Sequence, residues 1–169
     1  ASVTKSNAQG FGMVLWDRTF QAVASEYPQV ETESLLVDAA AMNFVRRPHT
    51  FDVVVGSNLF GDILSDVSAI VTGSIGLAPS ANLDPTRRHP SMFEPVHGSA
   101  PDIAGRGVVN PMAAILSAGM MLDHLGLKEG GKSVERAVAA VLADGTVRTA
   151  DLGGASRTSE VTDAVLARI

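Results

Sequence analysis

The stretch that decides the fold is residues 58–66, Asn-Leu-Phe-Gly-Asp-Ile-Leu-Ser-Asp. It follows the apolar run 51–56, which predicts a strand buried on both faces, and it predicts a helix that begins where that strand ends. In such a helix Asp62 and Asp66 share one face. The two carboxylates can bind a hard cation such as Mg2+ or Mn2+. They can equally be solvated acids on an exposed helix capped by Asn58, and the spacing alone leaves both interpretations open.

On both sides of this stretch, helical and extended patterns alternate. Apolar residues at helical spacing predict helices at residues 13–27, 34–46, 58–71, 110–125, 132–143 and 158–169. Extended pieces are predicted at residues 1–7, 30–33, 51–56, 77–83 and 91–96. Gly130 and Gly131 predict a break between the fourth and fifth helices. The alternation predicts an α/β architecture.

The composition excludes several classes of protein. The 169 residues are 46% hydrophobic, enough for a core, and the net charge is −5. No basic run exceeds two residues, so the sequence predicts no nucleic-acid partner. The longest apolar stretch, 111–122, is too short to span a membrane. With no cysteine there is neither a disulfide framework nor a thiolate zinc site, and a cytoplasmic location is expected.

The usual dinucleotide fingerprint is missing. Residues 105–110, Gly-Arg-Gly-Val-Val-Asn, imitate Gly-x-Gly-x-x-Gly but lack the third glycine and follow a loop rather than a strand. The sequence therefore does not carry the Rossmann fingerprint.

Four motifs, in order, resemble those of the β-decarboxylating dehydrogenases, the family of the isocitrate, 3-isopropylmalate, tartrate and D-malate dehydrogenases. Residues 58–77 resemble the family signature, with Thr-Gly-Ser-Ile-Gly-Leu at its end. The other matches are Thr-Lys-Ser-Asn at 4–7, Glu-Pro-Val-His-Gly-Ser-Ala-Pro-Asp-Ile at 94–103, and Asp-Leu-Gly-Gly at 151–154 with Thr158 and Glu160 beyond it. The resemblance covers nearly the whole chain.

This resemblance implies the C-terminal portion of an isopropylmalate dehydrogenase-like fold, with a sheet flanked by helices. Residues 1–73 would be part of a dimer-forming domain, and residues 74–169 the C-terminal part of the coenzyme-binding domain. The N-terminal half of such enzymes supplies substrate-binding arginines, a catalytic tyrosine and part of the nicotinamide pocket. We therefore expect a homodimer and expect these 169 residues alone to be inactive.

The family reaction oxidises the 2-hydroxyl of a malate-like acid with NAD(P) and then expels the carboxylate β to the new ketone. By resemblance, Asp62 and Asp66 of one subunit and Asp38 of the other bind Mg2+ or Mn2+, which acts as a Lewis acid. Lys5 matches the catalytic lysine, whose neutral form a nearby cation would favour, and Asp38 is assigned to catalysis with it. Asn7 would hydrogen-bond the substrate or groups on the nicotinamide side. Without the resemblance, Lys5 would be a solvated lysine and Asp38 an early-turn helix acid.

The resemblance also implies a coenzyme loop at residues 94–110. His97 and Asn110 would lie near adenine, and the backbone of Gly98, Ser99 and Ala100 would approach the dinucleotide, which glycine permits because it lacks a Cβ. Asp102 would bind the adenosine ribose and repel a 2′-phosphate, so NAD is the expected coenzyme. The alternative is a surface loop whose last residue merely caps the next helix.

The substrate is assigned on weaker resemblance. Ser6 and residues 78–85 look more like the tartrate and D-malate dehydrogenases. The alternatives are a 3-isopropylmalate dehydrogenase and a catalytically silent fragment that only dimerises.

Overall fold

The computed structural model describes residues 1–169, which form two compact units, residues 1–72 and residues 73–169. Helices and short strands alternate along the chain, which confirms the predicted α/β class. The division lies one residue from the predicted domain boundary. That the units belong to a dimer-forming and a coenzyme-binding domain stays a prediction. None of the helices is both long and apolar enough to cross a membrane.

The first unit consists of a small parallel sheet and three helices. Its elements are β1 (Ser2–Thr4), α1 (Gly12–Ser25), β2 (Ser34–Leu36), α2 (Val37–Arg46) and α3 (Asn58–Val71). Strand β1 pairs with β2 so that Thr4 lies opposite Leu36. The core of the unit is formed by Val3, Ala40, Phe44, Phe60 and Leu64, which come from β1, α2 and α3.

Two predictions for this unit are wrong. The helix predicted from Ser34 begins only at Val37, because Ser34–Leu36 hydrogen-bonds to β1 as a strand. Residues 51–56 form no regular strand and are not buried on both faces, since Val53 is 75% exposed. Their backbone hydrogen-bonds on one side only, to the first residues of the chain, where the Val3 amide donates to the Val55 carbonyl at 2.9 Å. The helix at 58–71 is confirmed, but its N-cap is Ser57 rather than Asn58.

The second unit packs a hairpin and two short turns against three helices. Its elements are β3 (Pro79–Asn82), β4 (Met92–Pro95), α4 (Met112–His124), α5 (Lys128–Asp144) and α6 (Thr158–Leu166), with 3-10 turns at Ile75–Leu77 and Ala150–Leu152. Strands β3 and β4 are antiparallel. The core is formed by Met112, Ala137, Val138, Val141, Val161 and Val165, which lie on α4, α5 and α6.

The predicted break at Gly130 and Gly131 is absent, because both glycines lie within the first turns of α5. A Cβ added to Gly131 would lie 2.9 Å from the Gly119 carbonyl oxygen of α4. The glycine is therefore required by the close approach of the two helices, not by a turn. Gly145 ends α5 in the left-handed conformation, with φ +68°, where a glycine has no steric penalty. Helix α6 ends at Leu166, short of the predicted residue 169.

Candidate functional site

Lys5 and Asp38 form an ion pair within one chain. Because β1 and β2 are parallel and end opposite one another, the residues that follow them emerge at the same edge. Lys5 follows β1 directly, and Asp38 is in the first turn of α2. Lys5 Nζ donates to Asp38 Oδ1 at 2.5 Å, and the two side chains are 27% and 60% exposed. The sheet register thus brings together two of the residues that the resemblance singled out.

The surroundings of the Asp38 carboxyl favour its charged form. The hydrogen bond from Lys5 holds the pKa of the Asp38 carboxyl below its usual value, and the backbone amide of Asp38 acts in the same direction. Asn7 lies exposed in the turn that follows, where the amides of Ala8 and Gln9 donate to the Lys5 carbonyl. The Asn7 side chain is therefore free, two residues after Lys5 in the sequence. Its role in substrate binding stays a prediction.

Asp62 and Asp66 are both exposed on α3, whereas Phe60 and Leu64 of the same helix are buried. Neither acid takes part in an ion pair. Carboxylate oxygens suit Mg2+ or Mn2+, so the donor chemistry fits such an ion. No group of three potential ligands exists within the chain. The predicted site, which takes Asp38 from a second subunit, stays a prediction.

The acids share their helix faces with exposed apolar side chains. Helical spacing puts Asp62 and Asp66 on the same face as the exposed Leu59, Ile63 and Ile70. The same spacing relates Asp38 of α2 to Met42 and Val45, each 65% exposed. Both acidic positions therefore lie on faces that a monomer leaves apolar and open to solvent.

Residues 94–110, called the coenzyme loop after the role that the resemblance predicts for them, begin at the end of β4 and continue through turns. His97 is half-buried, with Nδ1 3.0 Å from the Gly98 carbonyl oxygen. A Cβ at Gly98 would meet nothing within 4 Å, so the space beside this backbone is open. Ala100 adopts φ +40°, a conformation that costs a non-glycine residue energy and is found at functional sites. Asp102 is exposed, and Ser99 is exposed as well.

The end of the coenzyme loop is fixed by the start of α6. The Thr158 amide donates to the Gly107 carbonyl at 3.0 Å. The Thr158 hydroxyl donates to the Val109 carbonyl at 2.6 Å. Gly107 itself has φ +65°. The C-terminal motif that contains Thr158 is therefore hydrogen-bonded to the end of this loop.

Asn110 belongs to a polar network that sequence reasoning missed. Asp151 Oδ2 accepts from Ser74 Oγ at 2.5 Å and from Asn110 Nδ2 at 3.0 Å. Asp151 Oδ1 accepts from Thr149 Oγ1 at 2.5 Å. Ser74 and Asp151 each lie in a family motif and Thr149 lies in none, and no signal in the sequence relates the three residues to one another.

Hydrogen bonding keeps the Asp151 carboxyl ionised. Partial burial works against the charge, but the bonds from Ser74, Thr149 and Asn110 outweigh it and hold the pKa of Asp151 below its usual value. Asn110 is only 4% exposed. Its Oδ1 accepts from the Met112 amide, the first residue of α4, at 3.0 Å. The N-cap of α4 is Pro111, however, and not Asn110 as the alternative interpretation predicted.

The chain matches known proteins along nearly its whole length. The sequence model of a protein family described as isocitrate/isopropylmalate dehydrogenase matches residues 1–165. A probable tartrate dehydrogenase/decarboxylase of Bacillus subtilis is 54% identical over 99% of this chain and 47% of its own length. A 3-isopropylmalate dehydrogenase of Streptomyces griseus is 51% identical over 99% of this chain and 47% of its own. The chain thus spans about half the length of the curated relatives it matches.

Solved structures agree with this match. The crystal structure of isocitrate dehydrogenase from Methylococcus capsulatus superposes with a TM-score of 0.94 and 41% identity, over 99% of this chain and 49% of the other. A β-decarboxylating dehydrogenase from Thermococcus kodakarensis, solved in its apo form, gives a TM-score of 0.83 and 40% identity, over 99% and 48%. The isopropylmalate dehydrogenase-like fold expected from the motifs is confirmed.

Proposed function

Since the chain belongs to the isocitrate/isopropylmalate dehydrogenase family, we propose that the protein oxidises and decarboxylates a malate-like 2-hydroxy acid with NAD and Mg2+ or Mn2+. The observation that carries this proposal is the ion pair between Lys5 and Asp38. It joins the proposed base to a proposed metal ligand, and this contact supports the assignment of both residues to one site.

In the proposed site, Lys5 and Asp38 of one subunit face Asp62 and Asp66 of a second copy. Three acids that do not meet within the chain can meet across a two-fold axis, which places the same surfaces of both copies in contact. The apolar side chains beside the acids on α2 and α3 support this arrangement, because dimerisation would bury them. Since Lys5 is bound to Asp38, it belongs to the same side of the interface.

Lys5 is the proposed base. In its neutral form Nζ takes the proton of the substrate hydroxyl as hydride leaves for the coenzyme. The Asp38 carboxylate then stabilises the ammonium, at the 2.5 Å separation that the pair already has. Asp38, Asp62 and Asp66 would hold a divalent ion, which would supply Lewis-acid polarisation of the oxygen at the reacting carbon. Asn7, exposed beside this pair in sequence, is the proposed hydrogen-bonding group for the substrate.

NAD is the proposed coenzyme, bound along residues 94–110. The open backbone at Gly98 leaves room for a phosphate-linked chain, and the amides of Ser99 and Ala100 extend that surface. His97 and Asn110 are the proposed neighbours of adenine. The exposed Asp102 carboxylate would accept from ribose hydroxyls and would repel a 2′-phosphate, which favours NAD over NADP.

Tartrate or D-malate is the proposed substrate. Ser6 and residues 78–85 favour it, as does the 54% identity to a probable tartrate dehydrogenase/decarboxylase. The second candidate is 3-isopropylmalate, favoured by the 51% identity to a 3-isopropylmalate dehydrogenase. The two sequence identities, 54% and 51%, are too similar to distinguish between these substrates.

The proposal is tested by assaying the full-length protein for NAD reduction at 340 nm with tartrate, D-malate and 3-isopropylmalate. Each assay is run with Mg2+, with Mn2+ and with a chelator, and carbon dioxide release is measured in parallel. We expect turnover of at least one acid, with carbon dioxide, only when a divalent ion is present. Turnover that persists in chelator, or oxidation without carbon dioxide release, would contradict the proposed function.

A further inference from the structure

We propose that Asp151 is a positioning residue for the coenzyme: its carboxylate fixes Asn110 at the end of the coenzyme loop and thereby sets the affinity for the adenosine half of the dinucleotide. The inference rests on the proposed function, which places adenine at His97 and Asn110. Asp151 itself lies outside residues 94–110 and is not required to touch the coenzyme. Its effect is transmitted through hydrogen bonds.

The carboxylate of Asp151 joins three segments that are distant in sequence. One oxygen accepts from Ser74, next to the Ile75–Leu77 turn, and from Asn110, which precedes α4. The other oxygen accepts from Thr149, at the start of the Ala150–Leu152 turn. Ser74, Asn110 and Thr149 are all buried, at 3%, 4% and 0% exposure. Asp151 itself is exposed, but it supplies the carboxylate oxygens that satisfy these three buried donors.

The side-chain amide of Asn110 has one possible orientation in this network. Its Nδ2 donates to Asp151 and its Oδ1 accepts from the Met112 amide. Rotating the amide by half a turn would place Oδ1 against a carboxylate and Nδ2 against an N–H group, so two attractive contacts would become repulsive. Asp151 consequently fixes the orientation of the Asn110 side chain, and with it the path of the last residues of the coenzyme loop.

Gly76 packs closely against two members of the network, Asn110 and Asp151. A Cβ added to Gly76 would lie 2.8 Å from Asn110 Cβ and 2.9 Å from Asp151 Oδ2. Real Cβ atoms do not approach this closely, so a methyl group at this position must displace Asn110 or Asp151. The Gly76 amide also donates to Ser74 Oγ at 2.9 Å. Gly76→Ala therefore perturbs the same network without removing any of its polar groups.

The test compares NAD dissociation constants, measured by calorimetry, with steady-state kinetics of the full-length protein. Asp151→Ala leaves three buried donors without an acceptor, and we expect NAD affinity to fall about tenfold. The coenzyme KM should rise in parallel while kcat changes much less, because Asp151 acts at the end of the coenzyme that does not react. Gly76→Ala should shift KM in the same direction. Asp151→Asn, which keeps one acceptor oxygen, should restore part of the affinity.

Asp144→Ala is the matched control. Asp144 also accepts a side-chain bond, from Arg168 at 2.6 Å, but this pair has no bond to the coenzyme loop. We expect its NAD affinity to equal that of the wild type. Far-UV circular dichroism of every variant checks that the fold is retained, and the isosteric Asp151→Asn provides a reading if the alanine variant does not fold.

A double-mutant cycle separates positioning from independent stabilisation. If Asp151 acts through Asn110, then Asp151→Ala should cost little further affinity in an Asn110→Ala background. Fully additive losses would overturn the inference, as would unchanged NAD affinity in folded Asp151→Ala and Asp151→Asn. Failure of the wild type to bind NAD would overturn the proposed function and the inference together. Wild-type binding with unaffected variants would overturn the inference alone.

Discussion

Gly130 and Gly131 are adjacent in α5, and we predict that alanine has opposite effects on stability at these two positions. At Gly130 the nearest atom to an added Cβ is Leu122 Cδ1 at 3.4 Å, an ordinary contact. Gly130→Ala should therefore stabilise the protein by about 0.5 kcal/mol, because alanine loses less backbone entropy in a helix. At Gly131 the nearest atom is a backbone oxygen of α4, at 2.9 Å, which cannot rotate away.

The steric term should dominate at Gly131. Forcing a methyl group into a packed contact costs about 1–3 kcal/mol, which exceeds the entropic gain. We therefore expect Gly131→Ala to lower the free energy of unfolding, with a difference between the two variants of about 2 kcal/mol. Urea denaturation followed by far-UV circular dichroism measures both, and an unchanged m-value confirms that the same transition is observed. Equal stabilisation by both substitutions would refute the close approach of α4 and α5.

Three further predictions concern the site. Asp62→Asn should abolish turnover while leaving the circular dichroism spectrum unchanged, because it removes a proposed metal-ligand charge from an exposed position; turnover by this variant in chelator would argue against the metal assignment. The wild type should prefer NAD, and Asp102→Lys with a compensating change at Ile103 should narrow the preference; equal use of both coenzymes by the wild type would contradict the placement of Asp102. Because the folded-state pKa of Asp151 is lowered, its contribution to stability should be fully present above the unfolded pKa of about 3.9 and be lost as pH falls through the folded value. The difference in unfolding free energy between wild type and Asp151→Asn should therefore shrink in acid, and a constant difference down to pH 2 would contradict this.

The elements that the sequence predicts correctly are those with strong local patterns. Helix α3 follows from the periodicity of residues 58–71, and strands β3 and β4 lie within the short extended pieces predicted at residues 77–83 and 91–96. The start of α2 was predicted wrongly because Ser34–Leu36 is held by β1, which is distant in sequence. Gly131 was misinterpreted because its role depends on α4. In both cases a tertiary contact overrides the local signal.

The same reason limits what the sequence predicts about the site. Motifs identify Lys5, Asp38 and the acids of α3 one by one, but the pairing of Lys5 with Asp38 depends on the register of two parallel strands. The Asp151 network joins residues 74, 110, 149 and 151, and no local pattern relates them. The sequence therefore identifies individual candidate residues, whereas it does not predict which side chains they contact.

The proposed active site combines Lys5 and Asp38 of one copy with Asp62 and Asp66 of another. Subunit complementation tests it most directly. In a mixed dimer of Lys5→Met and Asp62→Asn chains, one site would carry both substitutions and the other would be intact. Random exchange should then restore activity to about a quarter of wild type, because half of the dimers are mixed and each has one intact site.

The structure also predicts a pair that cannot complement. Lys5 and Asp38 lie in the same chain, 2.5 Å apart, so every site of a Lys5→Met and Asp38→Asn mixed dimer would carry one substitution. We predict recovery of activity for the Lys5→Met and Asp62→Asn mixture and none for the Lys5→Met and Asp38→Asn mixture. Recovery in the second mixture, or its absence in the first despite proven subunit exchange, would contradict the account.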